Sequence, residues 1–342
     1  MATRLLAAAL VALSFAAPAR AATYSAIYSF GDSLTDVGNV FTATGGALPA
    51  PPYANGQFTN GPVWVQTLAA GLGLPALQPS LRGGTDFAYG GAQSGTTPVH
   101  AANLTDVTGV AGQLAQFAAA RPVADPSALY TVWVGSNDIN AILRAGLAPA
   151  LAQAALGQVA ANIEAAVTTL AGAGARNVLV VGVPNLGLTP TVRALGTVAQ
   201  DAASALPAGL NGLLQNGAGP ALPSLGALAA QYSLNLKTLD TYALLTNAAK
   251  NPAAFGFTNV TDACFDSEAE TVCSPTQAGQ DQYLFWDDLH PTAAGHAIIG
   301  QAALALVSAP ATGVPEPGSV VLVVGAMALL AQRRYGRASI RR

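Results

Sequence analysis

The sequence predicts an α/β fold in which a mainly parallel sheet carries helices on both faces. Three observations point there. Short apolar runs alternate along the chain with stretches of helical period. The polar clusters at Ser33, Gly91 and Asn137 each follow directly on one of those runs. The 342 residues, 51% of them hydrophobic and without an internal repeat, suffice for a sizeable core.

The first run, Ala26-Ile27-Tyr28, leads into Phe30-Gly31-Asp32-Ser33-Leu34-Thr35-Asp36-Val37-Gly38-Asn39. This reads as a buried strand ending in a tight turn that lifts Ser33 from the sheet edge. Residues 41–62, rich in Gly, Pro, Ala and Asn, form a long loop of the kind that walls a substrate site. Residues 64–72 are a short amphipathic helix. Residues 85–89 read as a second strand running into Gly90-Gly91-Ala92, where bare backbone can offer its amides to a ligand. A helix over 113–120 follows.

Leu129-Tyr130-Thr131-Val132-Trp133-Val134 is β-branched and aromatic, a third strand that stops at Gly135-Ser136-Asn137-Asp138. Asp138 reads as the cap of a helix starting near Ile139. Residues 148–172 are alanine-rich with Leu, Val and Ile at helical spacing, so they form ordinary helix despite their low complexity. Residues 177–182 are the near-continuous apolar run of a strand buried on both faces. Residues 201–229 read as helix broken at Pro207 and again around 217–223, and 234–239 as a fifth strand. In Trp286-Asp287-Asp288-Leu289-His290-Pro291-Thr292, the proline keeps His290 on a loop just before a helix over 292–306.

A serine hydroxyl needs a base to take its proton, and a base needs an orienting group. Ser33, His290 and Asp287 are the residue types for that chemistry, with Asp288 the rival carboxylate. The backbone N–H groups of Ser33 and Gly91 and the side-chain amide of Asn137 are candidate donors to a developing oxyanion. Each follows a predicted strand, and ligands of open α/β sheets gather at the C-terminal edge. Asp36 and Asn39 are read as shaping the turn, His296 as a core or surface histidine, and His100 as a loop residue without a role.

Formal net charge is −3, but Arg4, Arg20, Arg333, Arg334, Arg337, Arg341 and Arg342 sit at the two ends. Leaving those and Glu316 aside, the body carries seven basic and sixteen acidic residues and no basic stripe. That balance argues against nucleic acid as a partner. Residues 1–21 combine Arg4, an apolar run over 5–17, and small residues Ala19 and Ala21, the pattern of a secretory signal cleaved after Ala21.

Val314-Pro315-Glu316-Pro317-Gly318 opens the other end, followed by an apolar run over 319–331 and then the arginines. The run is shorter than the roughly 18 apolar residues of a bilayer span, which leaves a marginal anchor with its arginines on the cytoplasmic side as the alternative reading. The order resembles the PEP-CTERM sorting signal of Gram-negative bacteria, removed by a membrane protease during export. The expected organisation is therefore a leader over 1–21, a catalytic domain over 22–308, a linker over 309–313 and a sorting segment over 314–342. The mature chain is expected in the periplasm, at the cell surface or outside a Gram-negative cell. Cys264 and Cys273, nine apart in a polar stretch, would close a short disulfide loop there, the alternative being two unpaired thiols. None of His100, His290 and His296 lies at ligand spacing from a cysteine, so no metal is expected.

Gly31-Asp32-Ser33-Leu34, the glycine turn at Gly91, Gly135-Ser136-Asn137-Asp138 and Asp287-Asp288-Leu289-His290 resemble, in order, the four signature blocks of the GDSL or SGNH hydrolase family. Pro51-Pro52-Tyr53, Phe58-Thr59-Asn60-Gly61-Pro62-Val63-Trp64 and Val183-Pro184-Asn185-Leu186-Gly187-Leu188-Thr189-Pro190 extend the resemblance over residues 26–305. It is strongest to the secreted branch of phospholipases, lecithinases and autotransporter-type esterases. The resemblance implies a three-layer α/β/α sandwich with about five parallel strands, ester hydrolysis through an acyl-enzyme, and no cofactor. It also implies Ser33 as nucleophile, Asp287 with His290 as acid and base, and Ser33, Gly91 and Asn137 as the oxyanion hole. A small-molecule or lipid ester is the expected substrate. The alternative is a surface or matrix-associated binding protein on the same fold; the complete set of catalytic residue types favours the enzyme.

Overall fold

The computed structural model describes residues 24–96 and 108–309. The leader over 1–21, the segment over 314–342, the linker beyond 309 and His100 lie outside the described residues.

Four parallel strands form the central sheet, β1 (Ile27–Gly31), β2 (Leu129–Trp133), β3 (Asn177–Val181) and β4 (Asn235–Leu239), in that spatial order. Ile27 lies beside Leu129, Leu129 beside Asn177, and Asn177 beside Asn235, so the four C-terminal ends finish nearly level. Side chains alternate between the faces. Tyr28, Phe30, Tyr130, Val132, Val178 and Val180 join one buried cluster, while Ile27, Leu129, Trp133, Leu179, Val181 and Leu239 join another.

The helices are α1 (Asn39–Ala43), α2 (Trp64–Gly71), α3 (Val110–Ala120), α4 (Ser136–Arg144), α5 (Pro149–Ala173), α6 (Pro190–Ala194), α7 (Thr197–Asn216), α8 (Leu225–Tyr232), α9 (Thr241–Lys250), α10 (Gln277–Gln280) and α11 (Ala293–Ser308). Apolar faces of α3, α4, α5, α7 and α8 supply the first cluster, and those of α2, α9 and α11 the second. The result is the expected three-layer sandwich. Local chemistry sets the longest helix: α5 opens on Pro149, whose missing N–H costs nothing at a first turn, and stops at Gly174 in the left-handed conformation. Gly300 lets α11 close on α2, because a Cβ there would lie 2.6 Å from the Trp64 carbonyl oxygen.

Four departures from expectation have physical causes. Residues 85–89 are not a full fifth strand. They run beside β1 through Ser29 N–H to Thr85 O (3.1 Å), Phe87 N–H to Ser29 O (2.7 Å) and Tyr89 N–H to Gly31 O (3.2 Å), with a bridge at Asp86 alone. On their outer side the Asn39 amide donates to the carbonyls of Asp86 and Ala88. Pairing with β1 ends because the Gln113 side chain takes the Gly31 N–H that a further bridge would need.

Pro207 does not break its helix. It lies inside α7 on the stripe Ala203, Pro207, Leu210 and Leu214, and burial of that face outweighs the one backbone bond a proline removes. Asp138 does not cap α4, whose N-cap is Gly135; its carboxylate instead accepts from the Ser94 amide and hydroxyl. Finally, the polar stretch after α9 contains strands that its composition conceals. A short parallel pair joins β5 (Asn259–Ala263) to β8 (Tyr283–Phe285), and β6 (Phe265–Asp266) with β7 (Thr271–Val272) makes a hairpin closed by the Cys264–Cys273 disulfide.

Glu164 on α5 is buried with its Oε1 unpartnered among the described residues, and burial pushes its carboxyl from the ordinary 4.5 up to about 7. The raised folded value means the unfolded chain releases this proton first. The contribution of Glu164 to stability is therefore greatest below about pH 4.5 and falls as pH rises towards 7. Glu164→Gln is expected to flatten that slope. Thermal melts should coincide near pH 4 and favour the variant at pH 8; an equal offset at both values would exclude Glu164 as the source.

Candidate active site

Ser33 sits just past the C-terminal end of β1 and is 8% exposed. The chain turns because the Asp32 carbonyl accepts from the amides of Thr35 and Asp36, both at 3.0 Å, while Asp32 Oδ1 accepts from the Leu34 amide. Gln113 on α3 clamps the strand end below, accepting from Gly31 N–H at 2.9 Å and donating to Gly31 O at 2.7 Å. The serine therefore stands on a turn held by the hydrogen bonds of its neighbours, none of which uses the Ser33 amide.

The Asp287–His290 segment is built the same way. Asp287 Oδ1 accepts from the amides of Leu289 (2.8 Å) and His290 (2.7 Å), which folds the loop so that the ring meets the carboxylate. His290 Nδ1 lies 2.8 Å from Asp287 Oδ2, and His290 Nε2 lies 2.8 Å from Ser33 Oγ. An ionised carboxylate only accepts, so Nδ1 carries the proton and Nε2 is left free to receive one from the serine. Phe58, from the long loop, lies tilted against the imidazole at 5.5 Å between ring centres. Tyr53, from the same loop, donates its hydroxyl to Asp287 Oδ2 at 2.7 Å.

Electrostatics keep this pair matched. Burial opposes the Asp287 charge, but His290, through its charge and hydrogen bonds, and the Tyr53 hydroxyl outweigh it and hold the carboxyl below its ordinary range. Burial likewise opposes protonation of His290, yet the Asp287 charge and hydrogen bond, with help from Asp32, raise the imidazole above its usual value. Asp32 is pushed up to about 7 by burial, despite the Leu34 amide and the nearby His290.

Asn137 opens α4 directly after β2, and its side-chain amide donates to Ala92 O at 3.0 Å, tying it to the glycine turn. In that turn Gly91 takes φ +80°, a conformation natural to glycine. The two adjacent glycines differ in one respect. Gly90 N–H is already bonded to Asp36 Oδ2 at 2.9 Å, whereas Gly91 is the residue that turns beside Ala92. Asp36 also gathers the amides of Gly38, Asn39 and Val40, so it does shape the turn.

Ser33, Asn137 and His290 line one small pocket open to solvent. Its other walls are largely apolar, including Leu34, Leu188, Leu245 and Phe285. Asp287 lies behind His290, and Gly91 is not among the cavity-lining residues.

The rival residues are elsewhere. Asp288 receives the Thr191 amide on its carbonyl, and burial together with Asp287, Asp266 and Glu268 raises its carboxyl. His296 is fully buried, with Nδ1 accepting from the Trp64 amide at 3.3 Å, and burial lowers it to about 3, which leaves it neutral in the core. Among the described residues no group of three or more His, Cys, Asp or Glu side chains could hold a metal ion. Sequence reasoning assigned no role to Tyr53 or Gln113. Neither stands at a spacing that would link it to residue 287 or 31, and the Tyr53 match in Pro51-Pro52-Tyr53 was the one available signal.

The chain is 28% identical over 380 residues to Lipase 1 of Photorhabdus luminescens, covering 92% of this chain and 56% of that protein, so it spans little more than half of that relative. It is 28% identical over 340 residues to the phosphatidylcholine-sterol acyltransferase of Aeromonas hydrophila, covering 87% and 94%. A GDSL esterase/lipase of Arabidopsis thaliana is 30% identical over 313 residues, covering 79% and 85%. Residues 27–303 match the model of the GDSL-like lipase/acylhydrolases, and the chain belongs to that family.

Proposed function

We propose that this chain is an exported serine ester hydrolase that cleaves acyl esters through Ser33, His290 and Asp287. The observation that carries the reading is the unbroken relay from Asp287 Oδ2 through the His290 ring to Ser33 Oγ, two contacts of 2.8 Å each. Ser33 Oγ attacks the ester carbonyl carbon while His290 Nε2 takes its proton. The negative charge on the carbonyl oxygen is met by the Ser33 and Gly91 N–H groups and the Asn137 amide. Collapse expels the alcohol, to which His290 returns the proton, leaving an acyl-serine. Water then repeats the two steps and frees the acid.

The apolar walls around Ser33 suit an acyl chain, and relatives named as lipase and as phosphatidylcholine-sterol acyltransferase support a lipid or simple acyl ester as substrate. Gly91 is favoured over Gly90 as an oxyanion donor because the Gly90 N–H is engaged by Asp36. The residue patterns at the two ends support a leader over 1–21 and a sorting segment over 314–342 removed on export, bracketing the domain over 22–308.

Mass spectrometry of the exported protein before and after treatment with a fluorophosphonate tests both parts. The expected outcome is a mature chain beginning at Ala22 and a single covalent adduct on the peptide containing Ser33. A chain that hydrolyses p-nitrophenyl esters with its adduct elsewhere would sink the Ser33 assignment. No adduct and no hydrolysis would favour a binding protein on this fold.

A further inference from the structure

We propose that Tyr53 is a positioning residue that holds Asp287 in place behind His290 and, through Asp287, tunes the basicity of the imidazole. The proposal rests on the Ser33–His290–Asp287 reading above. Its basis is where the donors to one carboxylate come from. Asp287 accepts from the Leu289 and His290 amides and from the His290 ring, all within its own loop. Those donors travel with the loop. Among the described residues Tyr53 is the one side chain from elsewhere that bonds this carboxylate, at 2.7 Å and across 234 positions of sequence. It therefore ties the loop to the rest of the molecule at the oxygen that also faces His290 Nδ1.

The phenol is held from three sides. Its ring meets Trp286 at 6.3 Å, Phe265 at 5.6 Å and Phe58 at 6.3 Å, all edge-on, and Phe265 stacks on Trp286 at 5.7 Å. Phe265 belongs to the hairpin closed by Cys264 and Cys273, so an otherwise irregular loop rests on a cross-linked support. Burial, then the Asp287 charge, pushes the Tyr53 hydroxyl above its ordinary range, and it remains a donor at every working pH. The charged groups around the relay are few. Asp32 faces His290 from the end of β1, and Asp288 lies beside Asp287, with Asp266 and Glu268 of the hairpin region acting on Asp288. His296, packed in the core beyond, stays neutral.

A hydroxyl donated to a carboxylate draws off part of its charge. Removing it leaves Asp287 a stronger acceptor, which raises the affinity of His290 for a proton and also loosens the loop. The acid limb of the activity profile should then move to higher pH, because the base must be neutral to act.

The test compares the parent chain, Tyr53→Phe and Asp287→Asn on p-nitrophenyl butyrate between pH 5 and 9, with rates normalised to sites titrated by a fluorophosphonate. Tyr53→Phe removes one oxygen and keeps the ring packing. Its expected result is a kcat about tenfold lower, a KM within about twofold of the parent, and an acid limb shifted upward by about one pH unit. A merely structural tyrosine would lower the titratable fraction without moving the limb. Parent-like kcat and limb in Tyr53→Phe, alongside a large loss in Asp287→Asn, would overturn this role for Tyr53 and leave the relay standing. Parent-like activity in Asp287→Asn would overturn both.

Discussion

Ser33→Ala is expected to lower kcat for p-nitrophenyl acyl ester hydrolysis by about 10⁴- to 10⁶-fold, and His290→Ala by a similar factor. The two residues form one proton-transfer unit: Ser33 Oγ and His290 Nε2 are 2.8 Å apart, and without either there is no activated nucleophile. The double variant should therefore be about as active as either single one, since a relay cut twice is no more broken than a relay cut once. The residue of catalysis left in all three would come from the donors that meet the oxyanion. Thermal stability should scarcely change in Ser33→Ala, because the turn is held by Asp32 and by backbone amides rather than by the serine hydroxyl. Multiplicative losses in the double variant would show that the two residues act in separate steps. Substantial activity in Ser33→Ala would remove the serine mechanism.

Asn137→Ala is expected to cost about 10²- to 10³-fold in kcat with little effect on KM, the signature of a donor whose bond strengthens as charge develops on the substrate oxygen. This residue carries a second duty. Its amide donates to Ala92 O, so truncation also frees the glycine turn, at about 1 kcal/mol of local stability. Asp138→Asn separates the two effects. Asp138 pins the same turn through Ser94, yet it does not line the cavity. Less than about tenfold loss in Asp138→Asn beside the large loss in Asn137→Ala would assign the Asn137 effect to the oxyanion. Comparable losses in both would assign it to the placement of the turn.

The contrast between Asn137 and Asp138 marks how far the sequence could be read. That polar residues follow β2 is a local fact, carried by an unbroken β-branched and aromatic run ending at a glycine. Whether Asp138 caps its own helix or reaches Ser94 depends on which donors another part of the chain brings near, and no spacing records that. The same division explains Pro207. Its ring argues locally for a break, and only the packing of the stripe from Ala203 to Leu214 reverses the outcome. Residues 85–89 have the composition of a strand, but the Gln113 side chain takes the Gly31 N–H and ends their pairing with β1.

By itself, then, the sequence determined the four strands of the sheet, the longer helices between them and the places where Ser33, Asn137, Asp287 and His290 stand at element ends. Those features arise from residue periodicity, turn chemistry and the proline after His290, all of which act over a few positions. The tertiary structure alone decided that Ser33 Oγ meets His290 Nε2 across 257 positions, that Tyr53 reaches Asp287, and that Asp36 occupies the Gly90 amide. Hydrogen bonds between distant segments form only after the level strand ends and the two buried clusters have set the loops side by side. Their partners are chosen by that packing rather than by neighbours in the chain.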